Sequence, residues 1–457
     1  MENDRQIAGV LILADESSDW RVAGLRQLDR LSLGLNEFAG SLGDRGRLPV
    51  CRYGTDVPRS LGPTENPRLP HLSITDSPES FSAELAGRAG DVLLLDSRLV
   101  IGRGAFGAFV SETQRRTNMP AIFVRALEIA VVAESRSAWM SQIAAAGRAM
   151  KSRGETSETA NWYYLCEASE IEAAEKRVLN ETGKSQDGFV ARYLNRPVSR
   201  PVSRFLLRFP ISPNQWTITT TLLAIAGASL LMRGDRLGFV VGAILFHFLS
   251  VLDGCDGEIA RAKYLDSDAG AKLDGICDRL ATMLLTIGLG IGLARQPGIA
   301  DALRWFYPWE GIIAALLLGV SETYLQRTPI EEDLQRAEPE NNLYPGYVRT
   351  HREIFNSGDQ LKIFAIKHSG MVFFGEDLTS FFVQATKRDV FNLAFALLIL
   401  CGWPQAVLHI LATVAFAIAI FALRDLMATV RRIRRRRSRV AALRTAQLTT
   451  VDKNSAV

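Results

Sequence analysis

Residues 253–278 read DGCDGEIARAKYLDSDAGAKLDGICD and follow directly on the apolar run LGFVVGAILFHFLSVL. If that run continues as helix, Asp253 and Asp256 stand three apart on one face, followed by the small Gly257 and Ala260 and then Arg261. Tyr264–Asp268 permits a reversal, with Asp266 or Ser267 as N-cap of a second helix. On that helix Gly270, Asp274 and Asp278 repeat every four residues. Two antiparallel helices then present four carboxylates to each other. Beside an apolar run such crowding is costly unless positive charge sits within it. A donor set of oxygens, with no His or Cys, suits magnesium, manganese or calcium. Two divalent ions among four carboxylates are able to hold a pyrophosphate and stabilise displacement at phosphorus. Gly257 and Gly270 leave room for a bulky ligand near the backbone. The plainer alternative is a solvated acidic loop with accidental spacing, since Asp and Gly are common in loops. Against it stands the whole pattern, DxxDGxxAR, eight residues, then GxxxDxxxD, with every fixed position filled.

The elements that must carry these acids are apolar. The 457 residues suffice for two or three domains, and the 47% hydrophobic content hides two unlike halves. Residues 1–190 read as a soluble protein, whereas 215–430 hold six apolar runs: Trp216–Met232, Leu237–Leu252, Leu280–Ala294, Trp309–Tyr324, Val390–Trp403 and Ala406–Leu423. A spanning helix needs roughly 20 residues, so the second and third runs must extend into the acidic stretch to cross. The acids therefore belong to helix ends. A soluble all-α core is the alternative, but the Gly-, Ala- and Leu-rich runs fit lipid better.

The arginines give an orientation. RRIRRRRSR places seven arginines in nine residues after the last run, and Arg192, Arg196, Arg200, Arg204 and Arg208 precede the first. Pro197 and Pro201 are expected to break helix there, leaving PVSRFLLRF from Pro201 as a short amphipathic surface helix. Basic flanks on both sides of an even number of spans put both ends, and the carboxylates, in the cytoplasm of a cell-membrane protein. The tail also reads as a plain topology signal and lipid contact. The net charge of +4 is small, and no nucleic-acid-binding signature is present. The five cysteines are scattered without a CxxC pair, which argues against a disulfide framework or a zinc site. The N-terminus lacks the basic region of a signal peptide.

The full motif closely resembles the signature of the CDP-alcohol phosphotransferase (CDP-alcohol phosphatidyltransferase) family, over roughly residues 190–430. The resemblance implies six transmembrane helices and transfer of a substituted phosphate from a CDP-linked donor to an alcohol, with release of CMP. It implies two ions, Mg2+ or Mn2+, with Asp253, Asp256 and Asp274 as ligands. Asp278 would be the general base toward the acceptor hydroxyl, and also a ligand. Gly257, Ala260, Arg261 and Gly270 would lie around the donor. SPNQWT resembles the family's PNxxT segment, which adds Asn214 and Thr217 to the donor site. Family members often form homodimers, though no feature of this sequence proves one.

The stretch QDGFVARYLNRPVSRPVSRFLLRFPISPNQWT resembles the junction in fused enzymes that make di-myo-inositol phosphate phosphate. In those, a cytoplasmic nucleotidyltransferase domain makes CDP-inositol and the membrane half joins it to inositol phosphate. Here the front half alternates accordingly: strands at Gly9–Ala14, Val92–Leu95 and Ala121–Val124, and helices near Leu25–Leu42, Phe81–Arg88 and Ala168–Glu181. LLLDSRLV resembles the strand-end metal aspartate of sugar nucleotidyltransferases, which would be Asp96; that residue serves equally as a turn cap. The departure lies after the first strand. LADESSDWR has no glycine between Ala14 and Arg21 to cradle a phosphate, and its three acids would repel one. The domain is therefore expected to have lost cytidylyl transfer, and to bind a ligand, regulate or brace.

The expected organisation is a nucleotidyltransferase-like α/β domain (1–185), an amphipathic segment (186–213), an all-α membrane domain (214–430) with a cytoplasmic insertion at 325–389, and a basic tail (431–457). The insertion is expected to fold over the site or lie on the interface. Lys387, Arg388 and Arg424 are placed to meet an inositol-phosphate-like acceptor, and equally to anchor helices at the interface. His247, inside the second run, is expected to pack against a neighbouring helix. Three functions stay open. One is a phosphotransferase with a CDP-diacylglycerol or CDP-polyol donor, another a bifunctional enzyme whose front half also makes the donor from CTP. The third is a non-catalytic membrane scaffold.

Overall fold

The computed structural model of the chain describes residues 6–43, 46–54, 67–116, 119–125, 136–152, 161–182, 189–327 and 388–454. The chain divides into two compact units. One holds Met1–Gln186 with Pro197–Trp216 and Gly254–Asp268; the other holds Asp187–Arg196, Thr217–Asp253 and Ala269–Val457.

The first unit is built on a sheet of β1 (Ile7–Leu13), β4 (Leu48–Tyr53), β5 (Leu72–Thr75), β6 (Asp91–Asp96) and β8 (Ala121–Arg125), in the order β5-β4-β1-β6-β8. β8 alone runs antiparallel to its neighbour, β6. Near-continuous apolar runs such as VLIL and VLLL are what a parallel strand covered on both faces requires. Side chains alternate between two cores. Val10, Ile12 and Leu93 face α1 (Gln27–Ser41) and α3 (Phe106–Arg115) through Leu28, Leu31 and Phe109. Leu11, Leu13 and Leu94 face α2 (Pro78–Leu85) and α4 (Arg136–Ser152) through Phe81, Leu85 and Ile143. Gly9 lets α2 approach, since a Cβ there would lie 3.0 Å from the Phe81 ring. Short pairs β2 (Arg21–Val22) with β3 (Leu25–Arg26), and β7 (Leu99–Ile101) with β9 (Trp162–Tyr164), flank the sheet. α5 (Ile171–Glu181) follows.

α6 (Arg196–Leu206) corrects one expectation, because it is helical through both prolines. Pro197 falls in the first turn, where a missing N–H costs nothing. Pro201 sits inside the helix, and the π-helical turn Ala191–Asn195 leads into it. The helix is amphipathic, with Val198 and Phe205 exposed and Ser199 and Ser203 buried.

The other elements are helices: α7 (Pro213–Leu231), α8 (Arg236–Ala262), α9 (Asp268–Ala294), α10 (Asp301–Arg327), α11 (Arg388–Leu400) and α12 (Pro404–Asn454). Glycines bring them close. A Cβ on Gly292 would meet the Leu231 carbonyl, and one on Gly290 the Tyr307 carbonyl, so α9 lies against α7 and α10 at backbone distance. Ala224, Ala228, Phe246, Leu285, Leu289 and Val407 form the second unit's core.

Six spans were expected. Among the described residues three helices are long and apolar enough to cross a membrane: Arg236–Ala262, Asp268–Ala294 and Pro404–Ala428. The other three apolar runs are helical but fall short. The 13 residues of α11 reach only about 20 Å. α7 carries Asn214, Gln215 and four threonines, and α10 carries Arg304, Glu310 and Glu322. His247 is half-buried within α8. Apart from its two ends, the insertion lies outside the described residues.

Candidate active site

α8 runs unbroken from the apolar stretch through the acids to Ala262, and α9 begins again at Asp268. The second and third apolar runs thus do extend into the acidic segment. Asp253 and Asp256 lie less than one turn apart on α8, and Asp274 and Asp278 about one turn apart on α9. One carboxylate oxygen each from Asp253, Asp256 and Asp274 lies within 4.8 Å of the others, with Asp256 buried and the other two half-buried. Asp256 Oδ1 also accepts the Gly257 N–H at 2.5 Å. Among the described residues, three converging carboxylates without nitrogen or sulfur donors suit a hard divalent cation.

Positive charge enters from Arg388, the first residue of α11. Its Nη2 donates to Asp253 Oδ2 at 2.5 Å, and its Nη1 pairs with Asp278. The next residue fixes this helix start, since Asp389 accepts the Ala191 N–H at 2.6 Å. Asp253, Asp278 and Arg388 line a cavity of about 30 Å³ with Ser250, Thr282 and Asn392, room for about one water. One guanidinium thus ties α8 to α9 at the carboxylates.

The remaining candidates are dispersed. Gly257 leaves space for Arg261, since a Cβ there would sit 3.0 Å from the guanidinium. Arg261 Nε donates to the Thr182 carbonyl at 2.6 Å. Ala260 is buried on α8 and Gly270 half-buried on α9. Thr217 is buried on α7, where Asn214 is exposed in the first turn. Arg424 is exposed on α12, and Lys387 lies outside the described residues. Of the three acceptor candidates, the structure brings Arg388 to the carboxylates. Glu258 was missed. It is fully buried inside the motif and accepts from Ser199 Oγ at 3.0 Å and Ser203 Oγ at 2.5 Å. The repeat PVSRPVSR, two serines one helical turn apart opposite a carboxylate, was the available signal.

The α/β domain has its own crevice, at the C-terminal ends of β1 and β6, where strand order reverses and open sheets bind ligands. Here it is filled. Asp15 accepts from Arg98 Nε at 3.0 Å and from the Ser17 N–H at 2.8 Å, and Ser17 Oγ meets Ser97 Oγ at 2.7 Å. Burial pushes the Asp15 carboxyl up, but the bonds from Ser17 and Arg98 outweigh it and hold it below the usual carboxylate range. Asp96 ends β6, is 1% exposed, and accepts from Tyr164 Oη at 2.5 Å and the Arg98 N–H at 3.1 Å. Burial holds its carboxyl above the usual range despite the Tyr164 bond.

Fold and site together give a membrane protein with a carboxylate cluster able to hold a cation at the ends of two long helices, and an α/β domain. Residues 210–336 match the model of the CDP-alcohol phosphatidyltransferase family. The chain is similar to three proteins each described as "Bifunctional IPC transferase and DIPP synthase". It is 36% identical to that of Rubrobacter xylanophilus over 167 residues, 34% of this chain and 38% of the relative. It is 33% identical to that of Aquifex aeolicus over 165 residues, 36% of this chain and 35% of the relative. To the Thermococcus kodakarensis protein it is 37% identical over 161 residues, 35% of each. The aligned stretch thus spans little more than a third of each relative.

Proposed function

We propose that the chain transfers a substituted phosphate from a CDP-linked donor, of the CDP-inositol type, to an inositol-phosphate-like alcohol, with release of CMP. The observation that carries this is the convergence of Asp253, Asp256 and Asp274 on one point, with Asp278 one turn further along α9. Asp253, Asp256 and Asp274, with Asp278 at the edge, would hold two magnesium or manganese ions. Bound there, such ions neutralise the donor pyrophosphate and make CMP a better leaving group. Asp278 takes the proton of the acceptor hydroxyl as that oxygen attacks phosphorus, a task for a carboxylate within hydrogen-bond reach. Arg388 is held at the start of α11 by Asp389 and presents a fork that suits a phosphate on the acceptor. Gly257, Ala260, Arg261, Gly270, Asn214 and Thr217 are assigned to the donor side. The carboxylates would face the cytoplasm of the cell membrane, an orientation that the basic flanks favour. The test is CMP release from CDP-inositol and CDP-diacylglycerol, each offered with inositol phosphate and simpler alcohols.

The relatives' description favours the bifunctional form of this reading, in which the α/β domain also makes the donor from CTP. On the other side stands the crevice filled by Asp15, Arg98 and Tyr164. Pyrophosphate release from CTP and inositol phosphate by the full chain supports the bifunctional form. A full chain that releases CMP from a supplied donor and no pyrophosphate from CTP supports the membrane reaction alone.

A further inference from the structure

The carboxyl end of the motif helix makes its contacts with the α/β domain. α8 closes in a Schellman-type cap: the Leu265 N–H donates to the Ala260 carbonyl at 2.8 Å and the Tyr264 N–H to the Arg261 carbonyl at 3.4 Å. The residue at the turning position is normally glycine, because the backbone must enter the left-handed region. Here it is Tyr264, at φ 54°. A residue with a Cβ is strained in that conformation, so its ring must contribute something that glycine cannot. The ring packs against the core of the α/β domain, where a Cβ on Gly34 would lie 3.4 Å from its hydroxyl. Arg103 covers it at 5.0 Å from the ring centroid.

The last helical carbonyl, that of Ala262, and the two that follow it are taken by arginines of the same domain. Arg30, buried in α1, donates to the Ala262 carbonyl at 3.0 Å while also holding the Val22 carbonyl at 2.7 Å. Arg68 donates to the carbonyls of Lys263 at 3.1 Å and Tyr264 at 3.3 Å. Arg103 grips the Asp266 carboxylate with two nitrogens, at 2.5 and 3.1 Å, while Glu37 holds it from the far side at 2.7 Å. Three arginines from separate segments of one domain thus converge on Ala262, Lys263, Tyr264 and Asp266, within three helical turns of Asp256 and directly after Arg261.

We propose that the α/β domain serves the membrane reaction as a rigid cap on the motif helix. Arg30, Arg68, Arg103 and Tyr264 act as positioning residues that fix the backbone carrying Asp256 and Arg261. The inference rests on the proposed reading of the carboxylates as cation ligands. It holds whether or not the domain also makes the donor.

Two variants of the full chain in detergent test it. The first is Arg68→Ala with Arg103→Ala, both on the domain surface; the second is Tyr264→Gly. As a local cap, glycine is the better residue at this position, so a purely local role predicts unchanged or improved behaviour in Tyr264→Gly. The cap assignment predicts the reverse. Mn2+ binding, followed by electron paramagnetic resonance of the free ion, is expected to weaken at least fivefold in both variants. Far-UV circular dichroism and the melting of the α/β domain should stay at wild-type values. CMP release should need correspondingly more metal and return toward the wild-type kcat when metal saturates. Wild-type Mn2+ affinity in both variants overturns the proposal, and so does a wild-type chain that binds no Mn2+. If the wild type binds Mn2+ but turns over none of the donors, the substrate reading fails, and the Mn2+ comparison still decides the cap.

Discussion

Replacing Arg388 with methionine removes the guanidinium that pairs with Asp253 and Asp278 while keeping much of the side-chain volume. A unit pair at about 4 Å and an effective dielectric of about 20 is worth roughly 4 kcal/mol. The Arg388 side chain is 46% exposed, so solvent screens it, and about 1 kcal/mol per carboxylate is the fairer figure. A divalent cation that settles on Asp253 and Asp278 must displace this guanidinium or tolerate its repulsion. Arg388→Met is therefore expected to tighten Mn2+ binding by about tenfold, since roughly 1.4 kcal/mol is one decade. At the same time it should raise the KM for an anionic acceptor, because the phosphate fork is gone. Arg388→Lys, which keeps charge but not the fork, should leave Mn2+ binding near wild type and still raise that KM. Titration of free Mn2+ by electron paramagnetic resonance, with CMP release against acceptor concentration, reads both. Weaker Mn2+ binding in Arg388→Met would refute the reasoning, because Arg388 would then be supporting the cation site instead of competing with cations for it.

Asp15→Asn should cost the α/β domain about 1–2 kcal/mol at neutral pH, since a charged hydrogen-bonded pair is lost. The native Asp15 carboxyl titrates below its unfolded value, so its contribution is full above about pH 4 and fades as pH falls through the depressed native value. Melting curves from pH 3 to 6 should be steeper with pH for the wild type than for Asp15→Asn. Gly292→Val, which drives a side chain into the Leu231 carbonyl, should separate α7 from α9 and lower the melting temperature of the membrane part in detergent. Cys401 is exposed in the turn before α12, whereas Cys51 is buried and its thiol is pushed up to about 12. In intact cells a membrane-impermeant maleimide should modify Cys401 and spare Cys51; labelling of Cys401 only after permeabilisation would invert the proposed orientation.

The carboxylate motif was legible because it is local. Three- and four-residue spacings on helices leave little freedom in where Asp253, Asp256 and Asp274 point, and the short apolar runs required α8 and α9 to continue into the acids. The strands β1, β6 and β8 were legible as continuous apolar runs. β4 and β5 were not: LPVCRY holds a buried Arg52, whose partner Asp76 becomes visible only once the strands pair. α6 was misjudged because Pro201 was read as a helix breaker without the π-helical turn before it. Arg388 was legible as a basic residue placed toward an anionic acceptor, but its pairing with Asp253 and Asp278 was not. It lies 135 residues from Asp253, and no local spacing links a helix start to a carboxylate that distant. The cap on Tyr264 was hidden for the same reason, since a tyrosine in a turn says nothing of the three arginines that hold it.

The central claim is that these aspartates perform transfer from a CDP-linked donor, and one comparison tests it most directly. CMP release is measured from purified chain with Mg2+ or Mn2+, CDP-inositol and inositol phosphate, for wild type and Asp278→Asn. The account predicts metal-dependent CMP formation that falls by about 10²–10⁴ in the variant, the range for loss of a general base, with Mn2+ still bound. Equal rates in wild type and Asp278→Asn, or no CMP from any CDP-linked donor despite bound metal, would contradict it.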